Sequence, residues 1–329
     1  MNKEISLFSE KIGAIRSDNM GKRIIAGKVS SVVWSIVRAL LLVGLSYIIL
    51  YPIIFSASIS IRSPDDMLDP TVVWLPKTFT LDNIKFVFER TGFVSAYFRT
   101  AAMSLICSVL QMLSCAVTGY GFARFKFKGR NILFLLALLT FIVPPQIISM
   151  PLYIQYSRVT LITSKFINGG VPMLNTPIPI SVSALLAQGL KSGLFIYLFR
   201  QSYKSMPKEL EDAAYLDGCG PIKAYTRIMF VNSAPILLVS FLLSFVWYWN
   251  DYINISLFYN KAKPLAVLLQ SLSQVILTMR TPEGLAYGDI ENNVYTTTFC
   301  LLFIITPIIV YTFLQKKFTE SLISTSIVG

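Results

Sequence analysis

Six residues in two strongly apolar stretches carry the side chains best suited to bind a ligand. Two of them interrupt one stretch near residue 190, and the other four lie close together near residue 250, late in a second stretch. Polar groups at membrane depth are costly and often functional. Amide, carboxylate and ammonium groups can hydrogen-bond the hydroxyls of a polar solute, and an aromatic ring can stack on its apolar face. The sequence therefore indicates a translocation pocket built from Gln188, Lys191, Trp249, Asn250, Asp251 and Asn254.

A structural interpretation of the same residues is equally open. Lys191 and Asp251 could form a buried ion pair, and the amides could make helix-packing contacts that never meet a solute. Transport by variants with alanine at Lys191 and at Asn250 separates the two interpretations. Lys191 also gives a weak indication of an acidic solute.

Motifs of enzymatic chemistry are absent from the sequence. It contains no GxxxxGK[ST] phosphate-binding loop, no GxSxG elbow and no HExxH pair. It has no histidine, and its four cysteines are scattered without a CxxC pair, so we expect neither a zinc or haem site nor a disulfide. We therefore expect no catalytic residue, metal or cofactor in this chain, and any ATP on which it depends must be bound by a partner.

The elements that position these residues are long apolar segments. The chain of 329 residues is 54% hydrophobic and only 14% charged, whereas soluble globular chains are about 25% charged. About 20 apolar residues cross a bilayer as a helix, and the alternating pattern of barrel strands is absent. The sequence predicts an all-α membrane protein, a six-helix transmembrane bundle with the spans Val32–Phe55, Ser95–Phe122, Ile132–Tyr153 (kinked at Pro144 and Pro145), Ile180–Phe199, Ile236–Leu257 and Tyr295–Leu314.

The positive charge of the chain indicates its orientation. The formal net charge of +12 could suggest nucleic acid, but Lys and Arg lie between the apolar blocks and no nucleic-acid-binding module is visible. The basic segments precede the first span, follow the second, follow the fourth and follow the sixth, which places them on one side. Because cytoplasmic loops carry an excess of Lys and Arg, both termini are predicted to be cytoplasmic, with the first span a retained anchor.

The segment 207–231, between the fourth and fifth spans, differs from the other short loops. Pro207 suits the first turn of a helix, where the acids that follow it are also favoured. Gly218 and Gly220 can end that helix, and Pro221 can open another. Two short helices held between two spans form a lever suited to transmit force from a cytoplasmic motor. We call segment 207–231 the coupling loop. The alternative is an amphipathic surface linker without a partner.

The coupling loop resembles the hallmark of the permeases of binding-protein-dependent ATP-driven importers, in the carbohydrate branch that includes the maltose permeases. An acid and two alanines are followed by an Asp-Gly pair, an aromatic residue and an isoleucine. Two positions depart from the family pattern, since Asp212 stands where Glu is usual and Val231 where Pro is usual. The matching residues are Glu211, Asp212, Ala213, Ala214, Asp217, Gly218, Tyr225 and Ile228.

The resemblance extends over residues 95–329, through Gly121–Arg130, Leu198–Gln201 and Trp249–Asp251. It implies a permease subunit in the bacterial cytoplasmic (inner) membrane, similar to the second permease of the maltose type. The partners it implies are a second permease in a heterodimer, two ATPase subunits that bind ATP and Mg, and an extracytoplasmic sugar-binding protein. The sugar or oligosaccharide would pass by alternating access. The segment Glu211–Gly218 would dock as a coupling helix on the ATPase.

An outer loop from Tyr259 to Asn292 is a further candidate site. Its counterpart in the maltose-type permease reaches into the open binding protein to help release the substrate. The alternative is an ordinary exposed turn. The residues that the resemblance assigns to this contact loop are Thr281, Pro282, Glu283, Gly284, Tyr287 and Gly288.

Two other functions compete with that of an importer. An ion-coupled secondary transporter would need paired acids or ion-coordinating broken helices at the midplane, and the spans are poor in acids. A membrane scaffold without transport does not account for the coupling-loop pattern. The predicted organisation is a cytoplasmic N-terminal segment at 1–31, the first span with its outer loop at 32–94, the importer-type core at 95–314 and a cytoplasmic tail at 315–329.

Overall fold

The computed structural model describes residues 2–163, 173–279, 281, 284 and 287–327, and for residues 2–30, 161 and 317–327 it describes the backbone alone. Within these residues the regular structure is helical, apart from an isolated antiparallel bridge between Arg62 and Phe79. The predicted all-α membrane class is therefore confirmed. In chain order the helices are α1 (Asn2–Ser60), α2 (Pro64–Leu68), α3 (Asp82–Arg90), α4 (Phe93–Arg124), α5 (Arg130–Ile142), α6 (Pro145–Thr163), α7 (Ile178–Leu185), α8 (Ser192–Ser205), α9 (Glu209–Leu216), α10 (Pro221–Ala224), a π-helical turn (Tyr225–Met229), α11 (Phe230–Asn232), α12 (Ala234–Trp249), α13 (Ile253–Phe258), a 3₁₀ turn (Asn260–Ala262), α14 (Leu265–Thr278) and α15 (Asp289–Ile327).

The chain divides into two compact units, Met1–Ser58 and Ile59–Gly329. The first unit consists of helix α1 up to its last turn. Large apolar side chains from Val32 to Leu50 are exposed along this helix. A helix that is apolar all round is suited to a hydrocarbon environment, because lipid solvates such side chains and water does not.

Three described helices are long and apolar enough to cross a bilayer unbroken: Ser31–Ser60 within α1, the whole of α4, and Asp289–Lys316 within α15. They correspond to the first, second and sixth predicted spans. Two bent pairs of apolar helices also qualify. Helices α5 and α6 meet at 105°, which confirms the predicted kink at Pro144, since proline removes a backbone donor and clashes with the preceding turn. The helical segments 221–232 and 234–249 meet at 75°.

The fourth predicted span does not form one helix. Helix α7 ends at Leu185, and α8 begins only at Ser192. Between them Ala187 and Lys191 adopt the left-handed conformation, with φ of 56° and 54°. Positive φ values interrupt an α-helix, because every helical residue needs a negative φ. They are also strongly disfavoured for residues with a side chain. The prediction of a continuous helix from Ile180 to Phe199 was therefore wrong over its middle third.

The fifth predicted span and the outer loop after it also differ from expectation. Helix α12 ends at Trp249, and a separate short helix, α13, follows after a break. The predicted outer loop contains the apolar helix α14, whose buried residues include Leu265, Leu268, Leu272 and Ile276. This spacing of three and four residues is the helical signal that the sequence analysis did not use.

The predicted outer segment, residues 61–92, lies between α1 and α4 and is held by buried polar side chains. Arg62 is buried and donates hydrogen bonds to two carbonyl oxygens of the segment, and buried Asn83 donates to the backbone at 60 and 62. Buried Asp66 accepts from the amide of Thr78. At the surface, the Lys77 ammonium holds the pKa of the Asp69 carboxyl well below its usual range.

Helix α4 is the centre of the second unit and packs against α7, α8 and α12. It lies very close to α8 at Gly119. A Cβ atom built at this position would lie 2.5 Å from Cβ of Phe199 and 3.0 Å from the backbone nitrogen of Arg200. The absence of a side chain therefore sets the distance between the two helices, as small residues do in membrane bundles.

Replacing Gly119 with alanine should destabilise the protein by about 1–3 kcal/mol, because an added methyl group overpacks the contact with α8. The matched control is Gly121→Ala, two residues along the same helix, where an added Cβ meets nothing within 4 Å. Thermal unfolding of the purified protein in detergent should show a lower Tm for Gly119→Ala alone. Equal Tm values for the two variants would contradict the assigned packing.

Candidate functional site

The coupling loop contains the two short helices that the sequence predicts. Helix α9 ends because Gly218 adopts φ of +80°, and the Cys219 amide then donates to the carbonyl of Ala214 over 2.9 Å. This is a glycine-terminated helix end in which the last carbonyls are satisfied. Pro221 then opens α10, as predicted. The loop is therefore a helix–glycine–helix unit of fixed shape.

The matched residues of the coupling loop divide into two faces. Ala214 and Glu211 are buried, and Tyr225 and Ile228 are partly buried against the rest of the chain. The outward face consists of Asp212, Ala213, Asp217 and Gly218, all of them exposed.

Glu211 is held by the C-terminal turn of α4. Its Oε1 accepts a hydrogen bond of 2.6 Å from the hydroxyl of Tyr120, and its Oε2 lies 3.0 Å from Nε of Arg124. The structure thus places this carboxylate inside the chain's own fold. Both partners belong to α4 and lie far earlier in the chain, Tyr120 by 91 residues, so the local pattern of the coupling loop does not reveal them.

Large apolar side chains also point outward from the coupling loop. Leu216 is 89% exposed at the end of α9, Ile222 is 79% exposed at the start of α10, and Tyr215 is exposed beside them. A leucine and an isoleucine so fully exposed on a rigid unit are typical of a surface that a partner protein covers. These three residues form the apolar tip of the loop.

The break between α7 and α8 is held by polar side chains from two other helices. Gln111 of α4 donates to the carbonyl of Leu190 over 2.6 Å and accepts a hydrogen bond from the hydroxyl of Tyr248 on α12. Ser114 donates to the carbonyl of Ala184. A non-helical segment at membrane depth needs such partners, because lipid supplies none.

Gln111, Ser114 and Tyr248 were not among the sequence candidates, although Gln111 could have been found. It is an amide in the middle of an apolar span, where polar residues are expensive and usually have a specific partner. Gly189 was also not among the candidates. A side chain there would collide with the hydroxyl of Tyr248, because a Cβ atom would lie 2.1 Å from it.

The predicted pocket residues lie at the two helix breaks. Gln188 and Lys191 are exposed in the first break, and the Lys191 ammonium lies 4.9 Å from the ring centroid of Trp247 and 5.7 Å from that of Phe141. In the described part of the chain Lys191 forms no ion pair with Asp251. This conformation therefore lacks the Lys191–Asp251 ion pair of the structural alternative.

The second break begins at Asn250, which is exposed and donates to the carbonyl of Val246. Asp251 is buried and accepts from both the backbone amide and the side-chain amide of Asn254, so that it starts helix α13. Trp249 is fully buried, and its indole donates to a backbone carbonyl of α15. Of these four residues, Asn250 offers the most accessible polar group, while Trp249 packs in the core.

The predicted outer contact loop is described at Thr281, Gly284, Tyr287 and Gly288, and Pro282 and Glu283 lie outside the described residues. Gly284 adopts φ of +83° in a turn whose amide donates to the carbonyl of Thr281. Tyr287 packs on the rings of Phe86 and Tyr295, with centroids 5.3 Å and 5.8 Å away. The end of this loop is thus anchored to α3 and α15.

Comparison with known proteins gives one family and several related permeases. The model of the family described as "Binding-protein-dependent transport system inner membrane component" matches residues 116–323. The arabinooligosaccharides transport system permease protein AraQ of Halalkalibacterium halodurans is 27% identical over 84% of this chain and 91% of its own length. The diacetylchitobiose uptake system permease protein DasC of Streptomyces coelicolor is 25% identical over 90% of this chain and 97% of its own length.

A solved structure shares the fold. It is a chain of a bacterial ABC transporter involved in the import of the acidic polysaccharide alginate, with a TM-score of 0.69 and 20% identity over 87% of this chain and 97% of that chain. These comparisons give no support to an ion-coupled secondary transporter.

Replacing Tyr248 with phenylalanine should destabilise the protein by about 1–3 kcal/mol, because it leaves the buried carboxamide oxygen of Gln111 without its donor. The control is Tyr252→Phe, which removes the same hydroxyl from an exposed ring. Thermal unfolding in detergent should separate the two variants, and an unchanged Tm for Tyr248→Phe would show that the hydroxyl does not hold the break.

Proposed function

This chain belongs to the inner membrane components of binding-protein-dependent transport systems, and we propose that it is a permease subunit of an ATP-driven importer of oligosaccharides. The observation that carries the proposal is the coupling loop. It is a rigid helix–glycine–helix unit with an exposed apolar tip, Leu216, Ile222 and Tyr215, joined to the helix bundle on both sides. When a partner protein displaces such a unit, the displacement is transmitted to the spans on both sides.

The proposed partners follow from this arrangement. Two ATPase subunits bind ATP with its Mg ion; one of them docks at the apolar tip of this chain, and the other docks on a second, similar permease that completes the pathway. The coupling loop and both termini lie on the cytoplasmic side of the inner membrane, where the basic segments are concentrated. A binding protein delivers the sugar from the opposite side and meets the contact loop at 281–288.

The proposed mechanism is alternating access without any change to the bonds of the sugar. Closure of the ATPases displaces the coupling loop, and the spans attached to it turn the translocation pocket from one side of the membrane to the other. The proposed substrate class follows from the related permeases, which serve the transport of arabinooligosaccharides and the uptake of diacetylchitobiose.

The helix breaks support a pocket for polar solutes. In many transporters the solute meets interrupted helices near the midplane, because unwound segments expose polar backbone and side-chain groups. Here Gln188 and Lys191 are exposed at one break and Asn250 at the other. The Lys191 ammonium lies near the exposed ring of Phe141 and the partly buried ring of Trp247. The amides and the ammonium can form hydrogen bonds with a sugar, and the rings can stack on it.

Replacing Leu216 with aspartate should lower the amount of ATPase that co-purifies from native membranes by about tenfold or more, since charging a central apolar contact costs about 2 kcal/mol or more. Folding should be unaffected, because the side chain is 89% exposed. The matched control is Leu75→Asp, at a leucine that is 79% exposed in the outer segment. Wild-type protein that purifies without an ATPase and moves sugar without ATP would refute the proposed function.

The variants Asn250→Ala and Lys191→Ala should each lower transport at limiting sugar concentration about tenfold. Each change removes a hydrogen bond to a polar solute, and such a bond contributes about 1–1.5 kcal/mol. Uptake of labelled oligosaccharide into proteoliposomes with the complete importer measures the effect. Asn131→Ala, at an exposed asparagine of α5, is the control. Full activity of both variants would exclude the pocket and would leave the importer assignment standing.

A further inference from the structure

Glu211 is buried in a helix whose other acids are exposed. Glu209 and Asp212 in α9 point to the surface, whereas Glu211 is only 7% exposed. A buried carboxylate is costly unless it is both paired and hydrogen-bonded. Glu211 meets that requirement through α4, because its Oε1 accepts a hydrogen bond from the hydroxyl of Tyr120 at 2.6 Å and its Oε2 forms an ion pair with the guanidinium of Arg124 at 3.0 Å.

Arg124 also holds the entrance to the coupling loop. It is the last residue of α4, and its Nη2 donates a hydrogen bond of 2.9 Å to the carbonyl of Met206, directly before the loop begins. One side chain therefore contacts both the start of the loop and the acid of its first helix. Its side chain is as deeply buried as that of Glu211.

Tyr120 connects the second half of the loop to the same point. Its ring centroid lies 4.7 Å from that of Tyr225, the first residue of the π-helical turn after α10, and 5.5 Å from that of Tyr203 on α8. Both helical parts of the loop and the end of α8 therefore converge on one side chain. One residue earlier, Gly119 brings α4 and α8 into backbone contact.

We propose that Tyr120, Arg124 and Glu211 form a clamp that makes the coupling loop, α4 and α8 one rigid body during transport. The inference rests on the proposed function, because the clamp transmits a displacement only if a partner protein moves the coupling loop. Glu211 is then a positioning residue that acts through α4 and does not touch the ATPase. The ATPase would meet the outward face and the apolar tip.

The test is the number of oligosaccharides imported per ATP hydrolysed, measured in proteoliposomes with the complete importer. Glu211→Gln should retain the wild-type amount of bound ATPase and hydrolyse ATP, but its import per ATP should fall about five- to tenfold, the usual size of a coupling between sites. Arg124→Gln should act in the same direction. The double variant should be no worse than the more affected single variant, because both changes break one contact.

Two further variants separate the clamp from general effects. Tyr120→Phe removes a single hydroxyl and should lower import per ATP even if Glu211→Gln proves hard to purify. Glu209→Gln makes the same chemical change at an exposed acid of the same helix and should leave import per ATP unchanged.

Three results would overturn the proposal. Import per ATP could stay at the wild-type value in Glu211→Gln and in Tyr120→Phe. The effects of Glu211→Gln and Arg124→Gln could be fully additive. Glu211→Gln could release the ATPase, which would assign Glu211 to the partner interface. Failure of the proposed function would look different, since the wild-type chain itself would then carry no ATPase.

Discussion

A polypeptide inside a bilayer must satisfy its backbone hydrogen bonds from within the protein, because lipid tails neither donate nor accept them. This constraint makes every described span helical, and it also decides where a helix can stop. The break between α7 and α8 exists because Gln111, Ser114 and Tyr248 take over hydrogen bonds that a continuous helix would supply. Gly189 lacks a side chain because those polar groups occupy the space. Gln188 and Lys191 of the proposed pocket are exposed at this break, which the three polar side chains stabilise.

The features that the sequence predicts correctly are those set by local rules. Apolar runs locate the spans, Pro144 kinks one of them, and Gly218 with Pro221 divides the coupling loop into two helices. In each case the cause lies within a few residues of the effect: a missing amide, a left-handed turn or a stretch long enough to cross the bilayer. The resemblance of the loop to one permease family rests on the same local pattern, and the family match over residues 116–323 confirms it.

The features that sequence reasoning missed depend on partners far away in the chain. Gln111 and Tyr248 are 137 residues apart, and Tyr120 and Glu211 are 91 residues apart. Nothing near Glu211 distinguishes it from the exposed Asp212 that follows it, because only the end of α4 decides which acid is buried. Trp249 illustrates the same limit, since an aromatic residue beside polar ones suggests a pocket, whereas its neighbours from α15 make it part of the core.

The two polar groupings divide the second unit into parts with different mechanical roles. At the coupling loop, a paired carboxylate and close ring contacts fix α4 to α8 and leave few ways for them to move separately. If the clamp holds α4 and α8 together as proposed, the motion of transport falls where the chain is interrupted: at the 186–191 break, at the 75° bend before α12 and at Asn250. The 186–191 break and the one at Asn250 are also where Gln188, Lys191 and Asn250 are exposed. In the proposed mechanism, a displacement of the stiff end would therefore be absorbed at the helix breaks and would change the shape of the proposed pocket there.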